Sequence, residues 1–277
     1  MAMTVAEQLM YTTTKVTSLL NGVETGSGTA FYYNIKVPNT DGNSIPALIT
    51  NKHVIAGSDE IAFRAHIRGA SREPSGAWHN CRIATADSNV VYHPDPNVDL
   101  CAISIHSILS ESDRLGKPIF NIAIDESLIP SASEWPQFDA LENLLMIGCP
   151  RGIYDEVNNI PIFRRGYSAT PLSRNYEGNS SFLVDMACYP GSSGSPIFIY
   201  DPNGFLDKTS NSYMMSQRVK FVGILFRGPL IDSKGQIIFQ NIPTVNVQNM
   251  MHLGEAIKAT EVLTISNMIL KMMGVST

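Results

Sequence analysis

The chain has 277 residues, enough for one large or two small domains with a buried core. Hydrophobic residues make up 44% and charged residues 16%, which is typical of a globular protein and not of a disordered one. The formal net charge of −5 gives no general attraction to the phosphates of nucleic acids, so we expect no nucleic-acid partner.

The N-terminus and the cysteines bear on the compartment. Residues 1–8 lack the charged and apolar segments of a signal peptide, and no apolar run approaches the length of a membrane span. We therefore expect a cytoplasmic protein with no membrane partner. Cys81, Cys101, Cys149 and Cys188 form no C-x-x-C pair, so we expect no metal site, no cofactor, and four buried, reduced thiols.

Short runs of β-forming residues, separated by Gly, Pro, Asn and Asp, dominate the chain. The first run, residues 28–37, alternates in hydrophobicity and ends in a polar turn. The later runs are 46–50, 60–66, 89–92, 100–105, 144–147, 182–186, 196–200, 219–226 and 236–241. Many short strands with this punctuation are typical of a β-sandwich or a β-barrel.

Helical patterns lie at the two ends. Residues 5–20 hold a mixed run in which the threonines weaken a helix. Residues 250–272 predict one, because Val262, Ile265 and Ile269 recur at three- and four-residue steps. This arrangement favours a terminal helix packed on its own domain over a helix that binds a partner. The prolines of residues 116–143 indicate a connection between two halves.

The most informative stretch is the loop Gly191-Ser192-Ser193-Gly194-Ser195, which precedes an apolar run. A serine between glycines can present its hydroxyl without crowding, and glycine lets the backbone aim N–H groups at one point. Such donors stabilise the negative charge that develops on an attacked carbonyl. The same residues also fit an ordinary turn before a strand.

A serine hydroxyl needs a base to become a good nucleophile. Of the six histidines, His53 stands where an apolar strand ends, which would hold its ring rigidly beside a core. His79 and His93 lie in loops with Gly or Pro and look solvated, whereas His66 and His106 fit alternating strand positions. A lone histidine is more often structural than catalytic, so His53 needs the rest of the pattern.

The base in turn needs a carboxylate that holds its tautomer. Asp99 directly precedes the apolar run 100–105, where a carboxylate is costly unless it has a partner. Asp87 and Asp95 are alternatives in more polar loops, where their usual role would be turn capping.

Five segments resemble motifs of the trypsin-like (chymotrypsin-fold) serine proteases, and they run in the family's order. They are Gly26–Phe31, which is similar to a strand of HtrA-like members, Thr50–Ile55 around the base, Val98–Ile103 around the acid, Gly191–Pro196 around the nucleophile, and Gly223–Gly228 along the specificity pocket. The resemblance implies an all-β fold of two six-stranded antiparallel β-barrels with a C-terminal helix. It places a single peptidase domain over 1–277, with barrels at about 20–115 and 135–248 and the helix at 250–273.

The resemblance also implies a mechanism of acyl transfer. Ser193 would be the nucleophile, His53 the base and Asp99 its orienter, and the N–H groups of Gly191 and Ser193 would form the oxyanion hole. A serine endopeptidase of this kind acts on a protein or peptide substrate. Activity should rise with pH between about pH 5 and 8, where histidines titrate, because the base must be neutral.

The substrate-binding residues implied by the family are Ala187, Phe226 and Gly228. Ala187 occupies the pocket floor and offers no counter-charge to Lys or Arg, so we expect an uncharged residue, small or medium and apolar, before the cleaved bond. Ser192 stands where secreted members carry the acid that pairs with a newly cut N-terminus. We therefore expect an enzyme that is active as synthesised or is switched by a regulatory protein partner.

Two other interpretations stay open: a catalytically silent trypsin-like module that binds a partner, and a viral-type protease that processes a polyprotein. An esterase or lipase does not fit, because their acid and histidine follow the serine, whereas here both precede it.

Overall fold

A computed structural model describes residues 3–40, 42–86, 88–228, 230–234, 246–250 and 252–275. Its first strands are β1 Thr13–Leu20, β2 Val23–Lys36, β3 Ser44–Thr50, β4 Glu60–Arg68, β5 Pro74–Ala84, β6 Val90–Tyr92, β7 Cys101–Ser104, β8 Ile119–Phe120 and β9 Asn143–Gly148. The remaining strands are β10 Ile162–Ser168, β11 Ser181–Asp185, β12 Pro196–Asp201, β13 Phe205–Asp207, β14 Ser212–Met214, β15 Arg218–Arg227, β16 Leu230–Lys234, β17 Asn246–Met250 and β18 Leu253–Lys258.

Helices are few and short. The α-helices are α1 Val5–Met10, α2 Lys52–Ile55, α3 His106–Arg114 and α4 Thr260–Met272. Single 3₁₀ turns lie at Glu126–Leu128, Trp135–Gln137, Pro150–Gly152 and Tyr176–Gly178. The first helix has a capping box, in which the Thr4 hydroxyl accepts from the Glu7 N–H and the Glu7 carboxylate accepts from the Thr4 N–H. No helix among the described residues is both long and apolar enough to cross a membrane.

The N-terminal half is an antiparallel sheet of eight strands. Its order is β5-β4-β1-β2-β3-β7-β6, and β8 pairs with β4. Six strands in a closed barrel were expected here, and the ladder of the described residues has eight strands and two ends. The extra strand β8 comes from the connection between the halves and pairs with the end of β4, at His66 and Ile67.

The C-terminal half is a closed six-stranded barrel in the order β10-β11-β18-β15-β12-β9. Two hairpins, β13 with β14 and β16 with β17, stand apart from it. The predicted all-β fold class with a C-terminal helix is therefore confirmed. Closing the barrel leaves none of its own six strands with a free edge.

A shared apolar core joins the two halves. Phe31 of β2 meets Phe221 of β15 with their ring centroids 5.2 Å apart, and Phe198 of β12 lies 5.6 Å from Phe221. All three side chains are fully buried. Val262 and Ile265 of α4 pack into the same cluster, so the terminal helix covers its own domain as predicted.

Most of the predicted strands are confirmed, and the helix boundary is wrong. Residues 253–258 form β18, which lies between β11 and β15, so α4 begins at Thr260 and not near residue 250. The barrel therefore extends past residue 248. The sequence assigned this strand to the helix, because Glu255 inside it fits the polar face of a helix. The predicted strand 236–241 lies outside the described residues.

Several of the strands that the sequence did not indicate, among them β1, β5 and β10, carry polar residues or glycine. β1 is rich in threonine and forms a strand in the segment where a weak helix seemed possible. β5 carries Asn80 and Arg82, and β10 carries the adjacent Arg164 and Arg165, so neither strand shows a simple apolar alternation. The threonines that disfavour a helix are good strand formers, which is the physical reason for the outcome in β1.

The four cysteines are free and buried, as predicted. Burial raises the pKa of the Cys81, Cys149 and Cys188 thiols to about 12, so none of these is an activated nucleophile. In the described part of the chain, no cluster of three or more His, Cys, Asp or Glu side chains is arranged to hold a metal ion.

We predict that Phe221→Ala lowers the free energy of unfolding by about 3–5 kcal/mol, because it empties the core between the halves. Phe163→Ala is the matched control, since Phe163 is 39% exposed and should cost about 1 kcal/mol or less. Urea denaturation measures both. Equal losses would contradict a shared core as the main contact between the halves.

Candidate active site

His53 lies in the one-turn helix α2, directly after the buried strand β3. The neighbouring Val54 and Ile55 are buried and anchor this turn in the N-terminal core. The His53 side chain itself is 49% exposed. A rigid turn therefore presents the imidazole at the surface, as the position of His53 after an apolar strand predicts.

Asp99 binds His53 through both carboxylate oxygens. The backbone N–H of His53 donates to Oδ1 at 3.1 Å, and the ring Nδ1 hydrogen bonds to Oδ2. The Asn51 amide donates to the Asp99 carbonyl at 2.7 Å and fixes the backbone of the acid. A carboxylate only accepts, so Nδ1 carries the proton and Nε2 keeps a free lone pair.

The three serines of the glycine-rich loop differ in exposure. Ser192 and Ser195 are fully buried, and their hydroxyls have no hydrogen-bond partner among the described residues. Ser193 is partly exposed, and its hydroxyl lies 3.4 Å from the Phe226 carbonyl oxygen. Within the described contacts, no hydrogen bond joins Ser193 to the His53 ring. The structure thus brings His53 and Asp99 together and leaves the Ser193 hydroxyl directed to Phe226.

The loop of Ser193 and the turn of His53 meet at Thr29 of β2. The Thr29 N–H donates to the Ser193 carbonyl at 2.8 Å, and the Thr50 hydroxyl donates to the Thr29 carbonyl at 2.7 Å. Gly194 has φ +87°, and a Cβ there would lie 1.9 Å from the Thr29 carbonyl oxygen. Only glycine allows the two segments to approach so closely.

Gly191 shapes the other side of the loop. It has φ +86°, and a Cβ would lie 2.8 Å from the Arg151 nitrogen and 2.9 Å from the Cys149 carbonyl oxygen. The Thr29 hydroxyl donates to its carbonyl at 3.0 Å. In the described contacts the N–H groups of Gly191 and Ser193 have no acceptor, so both can donate to an incoming group.

The three predicted pocket residues lie beside this loop. Ala187, Phe226 and Gly228 are each partly exposed, and the Phe226 carbonyl faces the Ser193 hydroxyl. A Cβ on Gly228 would lie 3.8 Å from that of Cys188, which follows Ala187. The exposed Arg227 pairs with the buried carboxylate of Glu255 at 2.7 Å, so its charge is balanced.

A comparison of the sequence with protein families decides the assignment. The trypsin-like peptidase domain matches residues 28–204, which is more than half of the chain. The chain belongs to this family. The resemblance to trypsin-like serine proteases is thereby confirmed, and the protein is a serine endopeptidase, a hydrolase that acts on protein or peptide substrates.

Solved structures similar to the peptidase include several proteases. The Rv3671c protease from M. tuberculosis, in an inactive form, has a TM-score of 0.44 at 17% identity, over 98% of this chain and 92% of that one. A thermostable serine protease, AL20, from an extremophilic microorganism has a TM-score of 0.48 at 11% sequence identity, over 95% of this chain and 98% of that one. The serine endoprotease from Yersinia pestis has a TM-score of 0.48 at 13% sequence identity, over 98% of this chain and 68% of that one. No curated protein sequence matches the chain.

The other histidines of the peptidase correct several expectations. His93 is buried at 5% exposure and not solvated. His79 lies in β5 and not in a loop, and its ring is 3.2 Å from the Ser112 hydroxyl. His106 begins α3 and is not in a strand, whereas His66 lies in β4 as expected.

The alternative acids have different outcomes. The Asp95 carboxylate accepts from the Asn97 N–H at 2.8 Å, which is the turn-capping role expected for it. Asp87 lies outside the described residues.

Thr29, Thr50 and Asn51 are functional contacts that the sequence did not single out. Thr50 and Asn51 open the base segment Thr50–Ile55, and Thr29 stands inside the Gly26–Phe31 motif. Their hydroxyl and amide groups bind partners 21 to 162 residues away along the chain. Only their position beside motif residues could have identified them from the sequence as residues that hold the site.

We predict that Gly194→Ala disrupts the Ser193 loop, because the added Cβ would overlap the Thr29 carbonyl. The matched control is Gly57→Ala, since Gly57 also has positive φ but has no atom within 4 Å of the added carbon. The control should cost only about 1–2 kcal/mol for the left-handed backbone. Thermal unfolding and labelling by a fluorophosphonate measure both variants, and an equal effect in the two would contradict the close approach.

Proposed function

We propose that the peptidase cleaves peptide bonds through a Ser193-His53-Asp99 triad and an acyl-enzyme. The observation that carries the proposal is the pair of hydrogen bonds from His53 to the Asp99 carboxylate. They leave Nε2 with a lone pair on an exposed ring, which is what a general base needs. The exposed fraction of Ser193, compared with the buried Ser192 and Ser195, supports Ser193 as the nucleophile.

In the first step the Ser193 oxygen bonds to the carbonyl carbon of the substrate while its proton passes to His53 Nε2. Asp99 stabilises the imidazolium that forms. His53 then gives the proton to the departing amine as the C–N bond breaks, which leaves an acyl ester on Ser193. Water, deprotonated by the same histidine, attacks the ester, and the proton returns to Ser193 as the acid product leaves.

The free N–H groups of Gly191 and Ser193 support a role as the oxyanion hole. Negative charge collects on the carbonyl oxygen when Ser193 attacks, and preorganised donors stabilise it. Loss of one such donor typically costs on the order of 10²–10³ in kcat. The Arg151 N–H donates to the Pro190 carbonyl at 2.6 Å and the Thr29 hydroxyl donates to the Gly191 carbonyl, and both hold the turn before the substrate binds.

The Ser193 hydroxyl must turn from the Phe226 carbonyl to His53 before it reacts. A change of the χ1 rotamer moves the oxygen without moving the loop, whose carbonyl stays bound to Thr29. Catalytic hydrogen bonds of this kind are often long or absent until the substrate is bound. The substrate backbone at the Phe226 strand would displace the present contact.

We predict that Ser193→Ala abolishes turnover, with a loss of at least about 10³-fold, and leaves the fold intact. Ser192→Ala is the matched control, because removing a buried hydroxyl without a partner should cost little. Hydrolysis of a peptide substrate and labelling by a fluorophosphonate probe measure both.

Labelling of the unmodified protein and of Ser192→Ala, but not of Ser193→Ala, is the expected outcome. Turnover by Ser193→Ala would rule out the triad. No labelling of the unmodified protein would favour a catalytically silent binding module.

We further propose that the residue before the cleaved bond is uncharged. Ala187 supplies no carboxylate to the pocket floor, and the charge of Arg227 is already paired with Glu255. A cationic side chain would therefore lose its hydration without gaining a partner.

A peptide library should show the highest kcat/KM for small or medium apolar residues at this position. Ala187→Asp should raise the relative kcat/KM for Lys and Arg, because it adds the missing counter-charge. Ala187→Asn is the uncharged control. Strong cleavage after Lys or Arg by the unmodified enzyme would refute the proposal.

The state of Ser192 supports an enzyme that needs no cut at its N-terminus. Ser192 is fully buried and carries no charge, so it cannot form an ion pair with a new amine. The loop is held instead by neutral hydrogen bonds to Thr29 and Leu225. We propose that the enzyme is active as synthesised or is switched by a protein partner.

A further inference from the structure

The acid of the proposed triad stands in a loop, residues 93–100, between β6 and β7. The loop is closed at its base by the His93 N–H, which donates to the Leu100 carbonyl at 2.9 Å. Residues 94–97 are exposed, so the middle of the loop has little packing of its own. Val98 and Leu100 anchor the end of the loop in the core, and the geometry of the exposed part depends on the few polar groups that bind it.

His93 is the buried side chain of this loop, with 3% of its surface exposed. Its Nδ1 accepts the Asp95 N–H at 3.1 Å, and its Nε2 lies 3.0 Å from a carboxylate oxygen of Glu261. Since a backbone N–H can only donate, Nδ1 holds a lone pair and Nε2 carries the proton. The ring thus links the Asp95 backbone to Glu261 in one defined tautomer.

Glu261 lies in the first turn of α4, where the helix dipole favours a negative charge. Val262 and Ile265 of the same helix are fully buried in the core that joins the halves, so the helix is firmly docked. Glu261 is 168 residues from His93 along the chain. The helix that follows the second barrel therefore holds a loop of the first half.

We propose that His93 and Glu261 are positioning residues that hold the Asp99 loop in its productive geometry. The inference rests on the proposed function of Asp99. Besides the two hydrogen bonds from His53 to Asp99, the Lys52 ammonium donates to the Asp95 carbonyl at 2.9 Å and the Asn51 amide donates to the Asp99 carbonyl. These contacts come from the His53 turn, whereas Glu261 binds the loop from helix α4.

The decisive comparison is Glu261→Ala with Glu261→Gln. Alanine removes the acceptor of the His93 proton, whereas the glutamine carbonyl can still accept it. A displacement of catalytic groups on the order of 1 Å can cost about 100-fold. We expect Glu261→Ala to lower kcat about tenfold with KM within about twofold, and Glu261→Gln to retain most of kcat.

His93→Asn provides a second route to the same test. Its side-chain carbonyl can take the place of Nδ1 and accept the Asp95 N–H, but it is too short to reach Glu261. The loss in kcat should match that of Glu261→Ala, and the double variant should lose no more than either single variant. This variant keeps the test valid if Glu261→Ala does not fold.

Asn267→Ala is the control, because Asn267 lies on the exposed side of α4. It should leave kcat and the proton spectrum unchanged. Thermal unfolding of every variant separates a loss of fold from a loss of positioning.

A readout without turnover separates this inference from the proposed function. Proton NMR of the full chain follows the ring N–H of His53, identified by its absence in His53→Ala. Glu261→Ala should shift or broaden this resonance, and Glu261→Gln should restore it. Unchanged kcat and resonance in Glu261→Ala, or equal defects in Glu261→Ala and Glu261→Gln, would overturn the positioning role. Inactivity of the unmodified protein would refute only the proposed function, since the resonance still tests the contact.

Discussion

Thr29 is the residue on which the geometry of the site depends. Its N–H donates to the Ser193 carbonyl, its hydroxyl donates to the Gly191 carbonyl, and its own carbonyl accepts the Thr50 hydroxyl. The Cys149 N–H completes the set by donating to the Thr29 hydroxyl at 3.0 Å. One strand residue of the first half thus fixes the serine loop, the histidine turn and the turn at Cys149. The Thr29 carbonyl occupies the space that a Cβ on Gly194 would need, so Gly194 cannot carry a side chain.

The histidine and its acid are held in a different way. Two hydrogen bonds join His53 to Asp99, and Asn51 fixes the backbone of the acid. The loop around Asp99 is held by these polar contacts together with the core packing of its neighbours Val98 and Leu100. Polar contacts with defined directions restrain orientation more narrowly than apolar packing, and orientation is what a base and its acid require.

The sequence predicted the strands with strong apolar alternation and the order of the three catalytic segments. These features are local: a strand such as β3 shows its pattern in consecutive residues, and each motif occupies about six positions. It did not predict β18, because Glu255 looks unsuited to a barrel strand until Ser181 and Arg227 are known to bind it. It also took His93 for a solvated residue, since nothing near Pro94 shows that a distant helix covers the ring.

Contacts between residues far apart in the chain account for what was missed. Thr29 and Gly191 are 162 residues apart, and no periodicity in either segment predicts that they are in contact. The resemblance to a protease family supplied the proposed triad, because the family's motifs mark residues whose partners are distant. The position of Ser195 illustrates the limit: its side chain is buried against Gly148, which is distant along the chain, where an added Cβ would lie 1.9 Å from the Ser195 hydroxyl oxygen.

The place of β18 in the barrel has a consequence for synthesis on the ribosome. This strand pairs with both β11 and β15, so the six-stranded ring stays open until residue 258 has left the exit tunnel. Strand pairing over such separations is slow, because a long stretch of chain must be ordered before the contact forms. The nascent second half therefore exposes the unpaired edges of β11 and β15 until that point.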